Sequence, residues 1–331
     1  MGTVNVVFLI GNGFDRNLGL KTSYLEFYEY YTSQDSSNNE AVSNLKNSIK
    51  INKEAWSDLE LSLGKYSENI KSQEELDTAI FDLIKHLRIY LQNIEKEIDY
   101  SIFSRKKFLN DLVNPERVLS PKDQQEIQIF KNKLNGNNLI QIQILTFNYT
   151  KIIERILENK FENIVIDKVG NQTIKLKGIE HIHGYVNDRL ILGVNDSNQI
   201  TNEKLRENQE CVELLVKPEH NQQLGHTKDN YCLNQIANAS MIYVFGSSIG
   251  ETDKVWWEAV GKRLGVSCYL VIYYLGEDTD ANEMLREVRR GRRLIDSFLA
   301  LTSLNEQQKS KAKESIYVAT TKDFFQLAES T

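Results

Sequence analysis

Two residues in this chain, Asn148 and His183, combine the side-chain chemistry and the setting that a reaction on a ligand needs. Asn148 follows the apolar run at residues 140–145, and its amide offers a donor and an acceptor for a ribose hydroxyl or a water molecule. His183 precedes Gly184, and an imidazole can act as a general base near neutral pH. Each also has a structural interpretation, because Asn148 can cap the following helix and His183 can be a buried, hydrogen-bonded histidine. The residue types alone leave both interpretations open.

The spacing of His181 and His183 raises the question of a metal site. Side chains two residues apart lie on the same side of an extended segment. No third ligand beyond Asp188 is indicated nearby, so we predict that the protein binds no metal. The cysteines are widely spaced and form no C-x-x-C pair, which argues against structural zinc and disulfides and favours a reducing, cytoplasmic location. They are Cys211, Cys232 and Cys268.

A glycine-rich turn follows the first apolar run of the chain. Residues 4–10 are β-branched or apolar almost throughout and lead into Gly11-Asn12-Gly13-Phe14-Asp15. A buried strand, a glycine turn and a helix beginning near Thr22 or Ser23 form the arrangement by which open α/β sheets hold nucleotide phosphates. The dinucleotide fingerprint is incomplete, because Arg16 stands where its third glycine would be. An ordinary tight turn is therefore the alternative.

Similar polar segments follow other predicted strands. In open α/β sheets, ligands collect at the carboxyl ends of the strands, so such segments converge on one crevice. We therefore predict a shared pocket. Its walls would come from residues 11–15, 146–150, 181–184, 193–196 and 246–250, with Asp253.

The elements that must position these segments alternate along the chain. Apolar runs predict strands at residues 4–10, 139–145, 164–166, 173–177, 190–192, 241–245, 268–275 and 316–319. Helical patterns lie at residues 151–159, 228–238, 253–264, 282–299 and 323–328, and the polar stretch 195–222 is predicted to be a mobile loop with a short helix. This alternation predicts an α/β fold with a Rossmann-like parallel sheet covered by helices.

The segment 35–135 interrupts this alternation, because nearly all of it has helical periodicity. We predict a large all-helical insertion or subdomain there, with residues 1–34 and 136–331 forming the nucleotide-binding domain. The long helices in residues 39–113 favour a homo-oligomer.

Composition limits the classes of partner. The net charge is −6, which argues against general binding to nucleic acid, and no apolar run approaches the roughly 20 residues of a membrane span. Five arginines cluster on one predicted helix beside acidic residues, which favours a solvated face with ion pairs and leaves nucleic-acid contact as the alternative. They are Arg286, Arg289, Arg290, Arg292 and Arg293.

Taken together, the order of motifs resembles the bacteriophage abortive-infection AbiH family. The matching segments are residues 10–15, 18–24, 56–60, 145–150, 182–184, 192–196 and 245–250, with Asp253 and Trp257. The resemblance implies an antiviral defence protein that acts with a defence-system partner protein or with further copies of itself.

More distantly, the same order is similar to the sirtuin superfamily, whose DHS-type fold binds NAD. This similarity implies NAD as a substrate or ligand and no bound cofactor. The zinc-binding cysteine pairs of protein deacetylases are missing, so peptide deacylation is not expected. The binding residues that it implies are Gly11, Asn12, Gly13, Phe14, Thr146, Asn195, Asp196, Gly246, Ser247, Ser248 and Asp253.

The activity that this similarity implies is cleavage of NAD to ADP-ribose and nicotinamide. Asn148 would orient the ribose and water, His183 would be the general base, and Asp15 would contact the ribose or stabilise its positive charge. The main alternative is a sensor that binds NAD or ADP-ribose without catalysis. A toxin directed at nucleic acid through the arginine-rich helix is a further alternative.

Overall fold

The computed structural model describes residues 3–35, 39–134, 139–264, 266, 268–276 and 284–328. Within these ranges one seven-stranded sheet has the order β3-β4-β2-β1-β5-β6-β7. Its strands are β1 (Thr3–Ile10), β2 (Leu139–Thr146), β3 (Ile164–Val169), β4 (Gln172–His181), β5 (Met241–Phe245), β6 (Tyr269–Tyr274) and β7 (Ile316–Thr320). Neighbouring strands are parallel except for β3, which runs antiparallel to β4 at one edge. The predicted α/β fold with a mostly parallel sheet is confirmed.

Helices occupy most of the remaining described chain. They are α1 (Gly13–Asn17), α2 (Tyr24–Ser33), α3 (Glu40–Ile51), α4 (Leu59–Tyr66), α5 (Gln73–Glu97), α6 (Arg105–Val113), α7 (Pro121–Lys133), α8 (Ile152–Ile156), α9 (Glu203–Arg206), α10 (Gln209–Leu215), α11 (Lys217–Gln223), α12 (Lys228–Ala237), α13 (Lys254–Leu264), α14 (Met284–Ala300) and α15 (Glu306–Lys313). Short 3₁₀ turns lie at Ser67–Asn69, Tyr100–Ile102, Pro115–Val118, Ser197–Gln199 and Glu251–Asp253.

Three local predictions were wrong. Residues 323–328 are irregular and not helical, because Phe324 and Phe325 are both fully buried and Phe325 has a φ of 53°, which no helix accommodates. Residues 190–192 make only an isolated bridge from Leu190 to Gly184. The stretch 195–222 is largely helical, with asparagine side chains capping α9 and α10.

The central strand β1 is buried on both faces, as its continuous apolar run predicts. Phe8 and Ile10 pack into one hydrophobic core with side chains of α6, α7 and α8, whereas Leu9 packs into a second core with side chains of α12, α13 and α14. The sheet is therefore covered by helices on both faces.

A third hydrophobic core lies among α2, α3, α4 and α5 and residues 186–216. Helices α6 and α7 pack instead against the sheet, so the segment 35–135 contributes to two different cores. The division into two domains stays a prediction, and its boundary at 135–136 lies outside the described residues.

The turns that follow β1 and β5 are locked together through their backbones. The N–H groups of Gly11 and Gly13 donate to the carbonyl oxygens of Phe245 and Gly246, at 2.8 and 2.7 Å. A Cβ on Gly13 would lie 2.5 Å from the Gly246 Cα, and one on Gly246 would lie 2.6 Å from the Phe14 nitrogen. The glycines therefore allow two strand-end turns to approach each other closely.

This contact predicts a large cost for a single methyl group at Gly246. Gly246 has a φ of +68°, so Gly246→Ala combines backbone strain with a steric clash. We expect the free energy of unfolding in urea to fall by about 2 kcal/mol or more. Gly250→Ala, in the same turn, is the control, because its Cβ would have no neighbour closer than 3.6 Å. Equal stability of the two variants would contradict the locking of the turns.

Candidate functional site

A cleft of about 820 Å³ lies at the carboxyl ends of β1, β2, β4 and β5. Its volume falls within the range of about 300–1,000 Å³ that is typical of small-molecule sites. Its walls extend from the buried Asp15 and Asn148 to the exposed Asn12, Ser57 and Ser248, so the cleft is open to solvent. The position agrees with the rule that ligands collect at the carboxyl edge of a parallel sheet.

Most of the residues that we predicted from the sequence to be catalytic or ligand-binding line this cleft. Those that line it are Gly11, Asn12, Gly13, Asp15, Asn148, His183, Gly246, Ser247, Ser248 and Asp253. Asn148 and His183 thus meet at one cleft although they lie on different strand ends.

Four nominated residues do not line the cleft and have structural contacts of their own. The Phe14 ring packs edge-on against Phe325 in the core. The Thr146 hydroxyl donates to the Ile10 carbonyl oxygen at 3.0 Å. The Asn195 Oδ1 accepts from the Val255 N–H at 3.2 Å, and the side chain of Asp196 caps the 3₁₀ turn Ser197–Gln199. Their contact with a ligand stays a prediction.

Asp15 is a buried carboxylate held by two neutral donors. The Asn148 Nδ2 donates to its Oδ1 at 2.9 Å, and the Thr150 hydroxyl donates to its Oδ2 at 2.6 Å. Burial raises the pKa of Asp15 to about 7, although both hydrogen bonds act in the opposite direction. The bond from Nδ2 orients the Asn148 amide, whose Oδ1 is buried and has no partner among the described residues.

The backbone of Asn148 is held by His181. The His181 Nδ1 lies 2.7 Å from the Asn148 carbonyl oxygen, and its Nε2 lies 2.6 Å from Glu154 Oε1. A carbonyl oxygen only accepts hydrogen bonds, so Nδ1 carries a proton. A second proton lies between Nε2 and Glu154. If Nε2 carries it, the pair is an imidazolium and a carboxylate; if Glu154 carries it, both groups are neutral. In both cases the pair fixes the main chain next to the cleft.

His183 is hydrogen-bonded at one ring nitrogen and has no partner among the described residues at the other. Its Nε2 lies 2.8 Å from Asp253 Oδ1, and its Nδ1 is buried without a partner among the described residues. The Lys217 Nζ, which can only donate, lies farther from Nε2, at 3.5 Å. The shorter contact is with a carboxylate, which accepts, so the proton is assigned to Nε2 and the lone pair to Nδ1. Burial, together with the charge of Lys217, lowers the pKa of His183. The neutral base is therefore the form present at neutral pH.

Lys217 forms ion pairs with Asp253, the partner of His183, and with Glu60 on α4, a helix of the 35–135 segment. Its Nζ lies 2.8 Å from Asp253 Oδ1 and 2.8 Å from Glu60 Oε2, and Lys217 and Glu60 are both buried. Burial acts to raise the pKa of Asp253, but the charge of Lys217 holds it well below its ordinary range. Burial raises the pKa of Glu60 to about 7. Against the effect of burial, the two carboxylates raise the pKa of Lys217 to about 12.

Sequence reasoning missed Lys217 and assigned no role to Glu60. Lys217 lies in the polar stretch predicted to be a mobile loop, where a lysine resembles any surface lysine. Glu60 appeared only as the last residue of the motif at residues 56–60. The two are 157 residues apart, so no local pattern could have paired them.

Two further classes of site were sought in the described parts of the chain. No group of three or more His, Cys, Asp or Glu side chains there is arranged to hold a metal ion. In the same ranges, every helix is too short or too polar to cross a lipid bilayer.

Residues 7–274 match the protein family described as bacteriophage abortive infection AbiH. The chain belongs to the AbiH family. This AbiH protein is therefore an abortive-infection protein of antiviral defence, as the motifs predicted. The matched range includes the strand ends that form the cleft, from β1 to β6, and ends before the arginine-rich helix α14. A comparison with curated proteins finds no match.

The raised pKa of Asp15 predicts how the stability of this AbiH protein changes with pH. A carboxyl group with a higher pKa in the folded than in the unfolded state stabilises the fold when protonated, and that contribution is lost as pH rises through the folded pKa of about 7. Relative to Asp15→Asn, wild-type stability should therefore fall by on the order of 2 kcal/mol between pH 5 and pH 8.

Urea denaturation of both proteins at several pH values measures this difference. Asp188→Asn serves as the control, because Asp188 is exposed. A wild-type stability that follows that of Asp15→Asn across the whole range would show that the buried carboxyl group does not titrate near neutrality.

The charge cluster predicts a second effect on stability. Lys217→Met leaves Glu60 and Asp253 buried together without their cation, so we expect a loss of about 3–5 kcal/mol in thermal or urea denaturation. Adding Glu60→Gln should restore part of the loss by removing one carboxylate. Lys122→Met is the control, because the Lys122 side chain is 83% exposed. If both lysine variants unfold alike, Lys217 does not neutralise the cluster.

Proposed function

We propose that this protein is an NAD glycohydrolase, which cleaves NAD to ADP-ribose and nicotinamide. One observation carries the proposal: Asn148 Oδ1 and His183 Nδ1 are both buried, both lack a partner among the described residues, and both belong to residues of one cleft. A buried polar atom without a partner costs about 1–3 kcal/mol. Such a cost is commonly retained where a ligand or a reacting water completes the hydrogen bonds.

The choice of NAD rests on the similarity of the motif order to the sirtuin superfamily and on the form of the cleft. The cleft runs past both glycine turns, so it can accommodate an extended molecule. The N–H groups of Gly11 and Gly13 are already bonded to carbonyl oxygens, so they are not the phosphate donors. Arg16, Ser247 and Ser248 also line the cleft, and their side chains offer the charge and the hydroxyl groups that phosphate requires.

The proposed reaction breaks the bond between C1′ of the ribose and the nicotinamide nitrogen. The bonding electrons leave with nicotinamide, and the ribose develops oxocarbenium character. A water oxygen then bonds to C1′, and the water proton passes to Nδ1 of His183 and from there to solvent. Asn148 Oδ1 accepts a hydrogen bond from a ribose hydroxyl or from the water. Asp15, when ionised, stabilises the positive charge and holds the Asn148 amide.

Asp253 and Lys217 act on the reaction through His183. Asp253 accepts a hydrogen bond from the Nε2–H group, so the ring has its lone pair at Nδ1. Lys217 keeps Asp253 ionised and thereby maintains that orientation. The arrangement follows the same logic as a carboxylate that orients a catalytic histidine in a triad.

Assay of the purified protein with NAD tests the proposal. We expect release of nicotinamide and ADP-ribose, measured with and without extract of phage-infected cells in case activation is required. Asn148→Ala and His183→Ala should each lower kcat by about 100-fold or more, because each removes a group that contacts the reacting atoms. His226→Ala is the control, because His226 does not line the cleft.

Full activity of both cleft variants would contradict the assignment. Tight binding of NAD or ADP-ribose by calorimetry, with no release of nicotinamide under activating conditions, would replace it with the non-catalytic sensor. Any toxicity that the wild-type protein has in cells should be lost in the same variants, in parallel with the loss of activity.

A further inference from the structure

The side chains that line the cleft carry more negative than positive charge. Among the described residues, Arg16 is the one arginine or lysine in that lining, and the buried Lys217 is already paired with Glu60 and Asp253. A dinucleotide brings a negative pyrophosphate, so the acidic part of the lining favours a ligand group of positive charge. The acidic side chains that line the cleft are Asp15, Glu26, Asp58, Glu60 and Asp253.

Asp58 contributes to this charge and has no cationic partner. It is the N-cap residue of α4, where its Oδ1 accepts from the Leu61 N–H at 3.0 Å. Its Oδ2 forms no hydrogen bond or ion pair within the described ranges, and it lies 3.9 Å from the point where a Cβ on Gly250 would stand. Asp58 is thus half-buried between α4 and the turn after β5, and one of its carboxylate oxygens can face a ligand.

Tyr24 contributes a hydroxyl group to the same cleft. It is the first residue of α2, after the N-cap Ser23, and its hydroxyl forms no hydrogen bond within the described part of the chain. The phenol is close enough to Glu60, Asp58 and Asp253 for their charges to act on it. Burial, together with these charges, raises the pKa of Tyr24 well above its ordinary value, so the hydroxyl keeps its proton and can donate.

A ligand that matches both features has a positive charge for the carboxylates and an acceptor for the Tyr24 hydroxyl. The nicotinamide end of NAD has both, because its pyridinium ring is cationic and its carboxamide oxygen accepts hydrogen bonds. The adenine end is neutral. Asp253, one of the carboxylates near Tyr24, is bonded to His183, so a ring in this part of the cleft would lie beside the proposed general base.

We propose that Tyr24 and Asp58 form the subsite for the nicotinamide ring, an assignment that rests on the proposed function. The Tyr24 hydroxyl donates to the carboxamide oxygen, and the Asp58 carboxylate faces the positively charged ring. The two residues belong to the motifs at residues 18–24 and 56–60, and the mechanism above gives neither of them a role. Nicotinamide is neutral once it has left the ribose, so Asp58 holds the substrate more tightly than this product.

Ligand-observed NMR titration of the wild-type protein with small pyridines tests the subsite apart from NAD cleavage. 1-Methylnicotinamide supplies the charge and the carboxamide, 1-methylpyridinium only the charge, and nicotinamide only the carboxamide. We expect 1-methylnicotinamide to bind at least about fivefold more tightly than either of the others, because each of them loses one of the two interactions. Equal binding of 1-methylnicotinamide and nicotinamide, or no binding of 1-methylnicotinamide at millimolar concentration, would overturn the proposal.

Two conservative variants assign the roles. Tyr24→Phe should weaken binding of 1-methylnicotinamide by about threefold to tenfold and leave that of 1-methylpyridinium unchanged, because only the hydroxyl is lost. Asp58→Asn keeps a good N-cap for α4, so it should weaken binding of both cations and leave that of nicotinamide unchanged.

Matched substitutions outside the cleft are the controls. Tyr30→Phe, on α2, and Glu54→Gln, at an exposed residue before α4, should change the binding of none of the three pyridines. Unchanged affinity for 1-methylnicotinamide in both Tyr24→Phe and Asp58→Asn would show that the ring binds elsewhere.

These results are independent of the NAD cleavage assay. If the wild-type protein cleaves NAD but binds the three pyridines equally, the subsite is wrong and the proposed function stands. If the preference and the variant effects hold but no nicotinamide is released from NAD, the subsite stands and the proposed hydrolysis is wrong.

Discussion

The backbone contact between the turns after β1 and β5 is the constraint on which the cleft depends. The two turns touch at Gly13 and Gly246 with no room for a side chain on either glycine. That contact holds the carboxyl ends of β1 and β5 at a fixed separation, and pairing of β1 with β2 brings Asn148 beside Asp15. The glycines therefore shape the cleft by packing against each other, and the polar chemistry belongs to the side chains around them.

Buried charge is the second organising feature of the site. Asp15, Glu60 and Asp253 are carboxyl groups in a poorly solvated region, and their pKa values are shifted differently. Burial raises to about 7 the pKa of Glu60 and that of Asp15, which is held by neutral donors, whereas the charge of Lys217 lowers the pKa of Asp253 and keeps that group ionised. Because Glu60 comes from α4 and Lys217 from α11, helices outside the sheet complete the electrostatics of a site built at its edge.

The sequence predicted what depends on local pattern and missed what depends on distant pairing. Strands such as β1 and β5 are continuous apolar runs, so their burial and parallel pairing could be inferred, and with them the convergence of Asn148 and His183. The ion pair of Lys217 with Glu60 joins segments 157 residues apart, and nothing near either residue marks it. The burial of Arg189 has the same origin, because an arginine between Asp188 and Leu190 looks solvent-exposed until the chain is folded around it.

The central position of β1 has a consequence for synthesis of the protein. β1 precedes both of its neighbours along the chain, because β2 begins at residue 139 and β5 at residue 241. Both edges of β1 are therefore paired only after β5 has been translated. A nascent or truncated chain that ends before Asp253 lacks the partner of His183. A copy that ends before Asp253 would thus lack the proposed activity, without any separate inhibitor.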